Sequence, residues 1–258
     1  MNECEYMAKK ELLVILPAYN EEECIGLFLD KLREQGVFEK ADVLVINDGS
    51  VDSTSLISKS KGAHVITHVY NLGYGCALQT GYKYAVRHGY KYVIQIDSDG
   101  QHDACNVASL YGVLSQEKDP PDIVIGSRFF DGSVSFPIPV VKKVAISFFR
   151  FIISKSTKMS ITDPTSGLQG LNRRAFLFYS HFNNFVYDYP DANMIIQMLL
   201  NDFVIKEIPS VMHPRKTGTS MHSGLKPVLY ILKMLLNTMI VVAREKLNRK
   251  SRVHKTNI

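Results

Sequence analysis

Residues 92–102 read Tyr92-Val93-Ile94-Gln95-Ile96-Asp97-Ser98-Asp99-Gly100-Gln101-His102. The first half is an apolar run of strand length, and the second places two carboxylates two residues apart, followed by a glycine and an amide. Hard oxygen donors gathered where a buried strand ends suit a divalent cation beside bound phosphates. Asp and Gly are also favoured in ordinary turns, so the weight of this reading comes from what stands at the ends of the neighbouring strands.

Two earlier apolar runs end the same way. Leu12 to Leu16 leads into Pro17-Ala18-Tyr19-Asn20-Glu21-Glu22, and Asp42 to Ile46 leads into Asn47-Asp48-Gly49-Ser50-Val51-Asp52-Ser53-Thr54. In an open parallel sheet, ligands bind outside the carboxyl ends of the strands, so Asp48 and Asp99 are expected to converge on one crevice. A third segment, Asn71-Leu72-Gly73-Tyr74-Gly75, follows the strand around Val65-Ile66 and opens a helix. Its glycines suit a tight turn or a close backbone approach to a ligand, but the spacing G-x-G-x5-G is not the dinucleotide fingerprint. The pattern predicts strands near 11–16, 42–47, 63–67, 91–97 and 122–127, with helices near 21–35, 52–61, 74–88 and 103–117. Such alternation implies a parallel α/β sheet. After Pro120-Pro121 and Phe136-Pro137-Ile138-Pro139 the sheet-like pattern is expected to stop.

The succession PAYNEE, VINDGSVDST, NLGYGCALQTG, DSDGQH, GSRF, DPTSGLQGLNRRAF and Arg215-x-x-Gly218-x-Ser220 resembles the family 2 inverting glycosyltransferases, and among them the dolichyl-phosphate mannosyltransferase-like branch that loads sugars onto polyprenyl phosphates. The resemblance runs from about Lys10 to Met221. It implies a GT-A fold with a single mostly parallel sheet, a nucleotide-diphosphate-sugar donor, and Mg2+ or Mn2+. By the same resemblance Pro17, Tyr19, Glu21 and Asp48 hold the base and ribose, with Gly75 among the donor contacts. Asp97, Asp99 and Gln101 surround the metal and the donor diphosphate, and Arg215 neutralises the departing diphosphate. Arg128 meets the acceptor phosphate together with Lys142, Lys143 and Ser147; where the family usually shows arginine this chain has lysine, which keeps charge but loses bidentate geometry. Ser166 and Gly167, in Asp163-Pro164-Thr165-Ser166-Gly167, form the wall around the transferred sugar. Asp191 stands where the family places a carboxylate that activates or orients the acceptor, and Asn193 replaces a second one. The catalytic set implied is thus Asp99, Asp191 and Arg215.

At 258 residues with 46% hydrophobic content, the chain can bury one sizeable core. We read a catalytic domain over 1–222, with an acceptor-facing segment at 128–158, and an amphipathic membrane-associating helix with a basic tail over 223–258. Cys4, Cys24, Cys76 and Cys105 lack CxxC spacing and read as free thiols, with no zinc site. The net charge of +5 gathers in two clusters that carry no nucleic-acid motif, which points to membrane phosphate rather than nucleic acid. Met1 to Lys10 is polar and unlike a signal peptide, so the expected location is the cytoplasmic face of the membrane.

The first basic cluster is Val140 to Lys158. As a helix it would align Lys143, Ser147, Arg150 and Ser154 within about 60°, with apolar residues over most of the remainder. That pattern suits either a helix in the headgroup layer or an ordinary core-packed helix with a solvated edge. The second cluster follows the apolar run Pro227 to Ala243. At about 26 Å this run falls short of a hydrocarbon core of about 30 Å, and Lys233 would cost about 2.5–3.5 kcal/mol at its centre. Lys226, Lys233, Asn237 and Arg244 share one face, which favours lying on the membrane over crossing it; packing against a small membrane protein or a second copy is the other reading. Two functions compete with transfer to polyprenyl phosphate: transfer to a saccharide hydroxyl, and a catalytically silent nucleotide-binding scaffold. A nucleotidyltransferase is disfavoured, because the first strand ends in PAYNEE rather than in a Gly- and Arg/Lys-rich loop.

Overall fold

The computed structural model describes residues 10–187, 190–214 and 236–244. Seven strands, β1 (Leu12–Ala18), β2 (Ala41–Asn47), β3 (His64–Thr67), β4 (Tyr92–Gln95), β5 (Ile123–Ser127), β6 (Gln169–Asn172) and β7 (Ile205–Pro209), form one sheet in the order β3-β2-β1-β4-β6-β5-β7. β1 is parallel to β2 and β4, β2 to β3, and β5 to β7. β6 runs antiparallel to both β4 and β5. The helices are α1 (Ile25–Glu34), α2 (Val37–Lys40), α3 (Thr54–Ser60), α4 (Tyr74–His88), α5 (Cys105–Leu114), α6 (Val140–Thr157), α7 (Arg173–Ser180) and α8 (Ala192–Leu200).

The central strands are covered on both sides. Leu13, Ile15, Leu44 and Ile46 enter one apolar layer with residues of α4, α6, α7 and α8. Leu12, Val14, Leu16, Val43 and Val45 enter the other with residues of α1 and α5. Successive side chains point to opposite faces, so a strand buried on both reads as the continuous apolar run seen in β1. α4 ends at Gly89, whose φ of 74° is the left-handed conformation that closes a helix at little cost for glycine.

The early strands and helices lie where the sequence pattern puts them, and the later ones correct it. The sheet does not stop near residue 130. β6 and β7 both follow that point, and β6 is inserted between β4 and β5. Its four residues, Gln-Gly-Leu-Asn, carry no apolar alternation to read, because β6 is held by neighbours on both sides rather than by its own pattern.

α6 combines the two readings of its sequence. Ile146, Phe149 and Ile153 are buried in the core, while Val140, Val144, Phe148 and Phe151 stay exposed, the last two at 42% and 58%. At about 100° per residue these four exposed residues fall within about 80° of one face. Of the cationic line, Lys143 and Ser147 point outward, whereas the Arg150 Nε donates to the Thr162 carbonyl (2.6 Å) and its guanidinium lies over the Phe129 ring.

Among the described residues, no helix is long and apolar enough to cross a membrane. Within 236–244, which is helical, Thr238 and Val241 are buried and Leu236, Met239 and Ile240 are exposed. Arg244 donates to the Asn183 carbonyl, so the outward side of this stretch is apolar. Lys226, Lys233 and the basic tail expected to complete that helix lie outside the described residues.

Candidate active site

The ends of β1, β2 and β4 are tied into one rim. The Ser98 hydroxyl donates to the Pro17 carbonyl (2.7 Å), joining the acidic motif to β1. The two preceding loops are stitched reciprocally: Asn20 N donates to Ser50 Oγ, Val51 N to Asn20 Oδ1, Glu21 N to Thr54 Oγ1, Glu22 N to Asp52 Oδ2 and Ser53 N to Glu22 Oε2. This leaves Tyr19 exposed at the rim and half-buries Glu21.

Asp48 is buried, and its carboxylate accepts from Leu72 N (2.9 Å) and Gly73 N (2.8 Å), with His68 Nδ1 at 2.7 Å. Held by these three nitrogens, it latches the 71–75 loop to β2. At Gly75 a Cβ would come within 2.2 Å of the Tyr187 carbonyl oxygen, so its bare backbone admits the chain at Tyr187.

Asp97 and Asp99 stand half-buried at the end of β4. The Tyr74 hydroxyl donates to Asp97 Oδ1 (2.9 Å), and Gln101 N donates to Asp99 Oδ1 (3.0 Å). Gly167 lies against Asp97, where an added Cβ would be 2.6 Å from Oδ2. The loop carrying Gly167 is held to β4 by Gln95 Nε2, which donates to the Gly167 carbonyl (3.0 Å) while its Oε1 accepts from Tyr82. His102 is buried, which pushes its imidazole down to about 4, so it is neutral at pH 7. Its Nδ1 has no hydrogen-bond partner among the described residues.

Arg215 lies outside the described residues, but the chain leading to it is placed. His213 N donates to the Gln101 carbonyl (2.7 Å), His213 Nε2 lies 2.8 Å from Asp103 Oδ2, and Val211 exchanges two hydrogen bonds with the Asn106 side chain. The segment entering Arg215 therefore runs alongside the acidic motif.

The acceptor-side assignments divide. Arg128 is enclosed: its Nε donates to Asp163 Oδ2 (2.7 Å) and its Nη2 to Asp163 Oδ1 (2.6 Å) and to Thr165 Oγ1 (2.7 Å). Burial works to lower its pKa, but the hydrogen bond and charge of Asp163 hold it above the ordinary value. Arg128 thus braces the 163–167 loop. Glu207 on β7 braces the same loop, accepting from Thr162 N, Thr162 Oγ1 and Asp163 N. Ser166 is buried, with its hydroxyl donating to the Gly126 carbonyl (2.6 Å).

Lys142 and Lys143 are both exposed, as is Ser147. Lys142 stands one turn before Ile146 on α6, and its ammonium lies within reach of the charges of Arg128, Asp163, Asp191 and Asp97. Lost hydration and repulsion from Arg128 lower its pKa, against the attraction of Asp163, Asp191 and Asp97. Asp191 sits at the start of α8 without capping it; its charge, behind burial and Asp97, helps raise the Tyr74 hydroxyl pKa. Carboxylates at 97 and 191 and cations at 128 and 142 therefore share one field. Tyr74 is the participant that sequence reading does not single out, because within NLGYG only the glycines carry a recognisable signal.

The described residues hold no cluster of three His, Cys, Asp or Glu side chains that could enclose a metal. Asp97 and Asp99, with the Gln101 amide, make an incomplete set of hard oxygen donors. That fits Mg2+ or Mn2+, which take one or two carboxylates and fill their remaining positions with water and substrate phosphate.

The family model for glycosyl transferase family 2 matches residues 13–178. The chain is 36% identical over 167 residues to uncharacterized protein MJ1222 of Methanocaldococcus jannaschii, covering 65% of this chain and 67% of that one. It is 26% identical over 224 residues to the polyprenol monophosphomannose synthase of Mycolicibacterium smegmatis, covering 82% and 81%. Glucosyl-3-phosphoglycerate synthase from Mycobacterium tuberculosis, solved with Mn2+ and UDP-glucose, superimposes with a TM-score of 0.62 at 18% identity over 90% of this chain and 80% of that one, which shows a shared GT-A-like fold. A match that begins inside β1 and ends inside α7 takes in the strand ends, the acidic motif and the loop braced by Arg128: the chain belongs to glycosyl transferase family 2 and is a nucleotide-sugar glycosyltransferase.

Proposed function

We propose that this enzyme moves a hexose, with inversion, from a nucleoside-diphosphate sugar to a polyprenyl phosphate at the cytoplasmic face of a membrane. The observation that carries the reading is a meeting of charge and apolar surface: carboxylates Asp97 and Asp99 at the end of β4, and an exposed lysine, Lys142, that feels Asp97, Asp163 and Asp191 from a helix that also exposes Val140, Val144, Phe148 and Phe151. A lipid phosphate is an anion on an apolar chain, and such a surface offers both halves a complement. The similarity to a polyprenol monophosphomannose synthase points the same way.

In this mechanism Asp97 and Asp99, with the Gln101 amide, would hold Mg2+ or Mn2+ at the donor diphosphate, and the ion would supply Lewis-acid stabilisation of the leaving charge. Tyr19 and Glu21, at the rim near Pro17, receive the base and ribose, with Asp48 shaping the loop beneath them. Ser166 and Gly167 wall the sugar. Lys142 draws the acceptor phosphate in line with the anomeric carbon, with Lys143 and Ser147 meeting it from the outer face of α6. A phosphate oxygen attacks that carbon as the bond to the diphosphate breaks, and Arg215, next to the described segment beside Gln101, neutralises the diphosphate that departs. Asp191 orients the acceptor end. The exposed face of α6 and the apolar side of 236–244 rest on the bilayer, alone, beside a small membrane protein or paired with a second copy.

The test is turnover of UDP-, GDP- and dTDP-sugars with Mn2+ and a short polyprenyl phosphate. Sugar should appear on the lipid phosphate, and Asp99→Asn should abolish metal-dependent turnover with the fold intact. Transfer to saccharides with none to the lipid, or full activity in Asp99→Asn, overturns the reading.

A further inference from the structure

Asp97 is held by Tyr74, which the mechanism above does not use for binding, and hemmed in by Gly167. The Tyr74 hydroxyl donates to Oδ1 at 2.9 Å. Gly167 is so close to this pair that a Cβ would lie 2.6 Å from Oδ2, 3.0 Å from Oδ1 and 3.0 Å from the Tyr74 hydroxyl oxygen. We infer that Tyr74 is a positioning residue for the donor end of the site: its hydroxyl fixes the rotamer in which Asp97 meets the metal-diphosphate group, and Asp48 fixes Tyr74 from below.

Tyr74 is the first residue of α4, directly after Gly73, which adopts a φ of +96°. The amides of Leu72 and Gly73 are held by the buried Asp48 carboxylate. The loop that launches Tyr74 is therefore anchored to the end of β2, while its hydroxyl ends on the residue just beyond β4. Asp48, Gly73, Tyr74 and Asp97 form a continuous strut across the carboxyl edge of the sheet. A carboxylate held in one rotamer need not be ordered when a ligand arrives, so affinity and alignment both gain. The ring alone packs against the core, so Tyr74→Phe retains the packing and deletes only the hydrogen bond.

This inference rests on the proposed reading that Asp97 faces the donor diphosphate. The experiment is calorimetric titration of Mn2+ with UDP, and separately with GDP and with dTDP, into the wild type, Tyr74→Phe, Asp97→Asn and the double variant. Tyr74→Phe should weaken metal-dependent binding by roughly tenfold, raise the donor KM more than it lowers kcat, and leave the melting temperature unchanged. In the Asp97→Asn background, deleting the hydroxyl should cost almost nothing more, because the pair acts as one unit. Gly167→Ala, whose Cβ would crowd both the Asp97 carboxylate and the Tyr74 hydroxyl, should weaken binding in the same metal-dependent way. Binding by Tyr74→Phe within about twofold of the wild type, or additive losses in the double variant, overturns the positioning role while leaving the proposed function standing. A wild type that binds none of UDP, GDP and dTDP with Mn2+ overturns both.

Discussion

Arg128 and Asp163 form a two-pronged buried ion pair across 35 residues of sequence, with Nε to Oδ2 at 2.7 Å and Nη2 to Oδ1 at 2.6 Å. Asp163 is completely buried and the Arg128 side chain nearly so, and Arg128 N adds a third hydrogen bond to the same carboxylate. Planar guanidinium matched to carboxylate is the strongest geometry available to such a pair. It ties the end of β5 to the loop that walls Asp97. Removing one partner leaves a charge buried without compensation, so Arg128→Ala should lower unfolding free energy by about 3–5 kcal/mol. Urea denaturation measures it. A stable Arg128→Ala protein with a selectively raised acceptor KM would instead return Arg128 to the acceptor phosphate.

Lys142 supplies a pH prediction. Lost hydration, then Arg128, lowers its pKa, so its ammonium loses its proton at a pH below the ordinary lysine value of about 10.4. Below its pKa the positive charge attracts the acceptor phosphate, and above it that attraction is gone. The acceptor KM should therefore climb on the alkaline side, beginning under the usual lysine range. Lys142→Arg should abolish that climb, because a guanidinium stays protonated there. An unchanged alkaline limb in Lys142→Arg would remove Lys142 from acceptor binding.

Asp191 separates the two acceptor chemistries. A sugar hydroxyl needs a positioned base, worth about 10²–10⁴ in rate, whereas a lipid phosphate is already anionic. For a polyprenyl phosphate acceptor, Asp191→Asn should lower kcat by less than about 10². A loss of three or more orders of magnitude would move the assignment to a saccharide acceptor with Asp191 as its base.

The exposed face of α6 predicts membrane association. Phe148 and Phe151 lie outward with Val144, next to the outward Lys143. Burying a Phe side chain contributes about 1.5–3 kcal/mol, so Phe148→Glu with Phe151→Glu should weaken sedimentation with phosphatidylglycerol-containing vesicles by at least about tenfold. The melting temperature should hardly move, because neither ring is in the core. Unchanged partition would leave the membrane contact to the C-terminal segment.

What the sequence determined by itself is everything that repeats locally. Apolar runs at 12–16 and 43–46, and at 92–96 interrupted only by Gln95, read as strands covered on both faces, and the polar residues that end them then gather on the carboxyl edge of the sheet. The acidic motif, the approximate limits of the early helices and the family were legible for that reason. β6 was not, since a four-residue strand with a glycine and two polar side chains is specified by the strands on either side of it. Nor were the roles of particular side chains. That Asp48 turns under a loop and Arg128 finds Asp163 is decided by packing across tens of residues. That the Lys142 ammonium comes among the charges of Arg128, Asp163, Asp191 and Asp97 is decided by where α6 packs. The sequence says which strand end a residue occupies; only the assembled layers say which way its charge faces, because a charge turned inward persists only where a partner already stands.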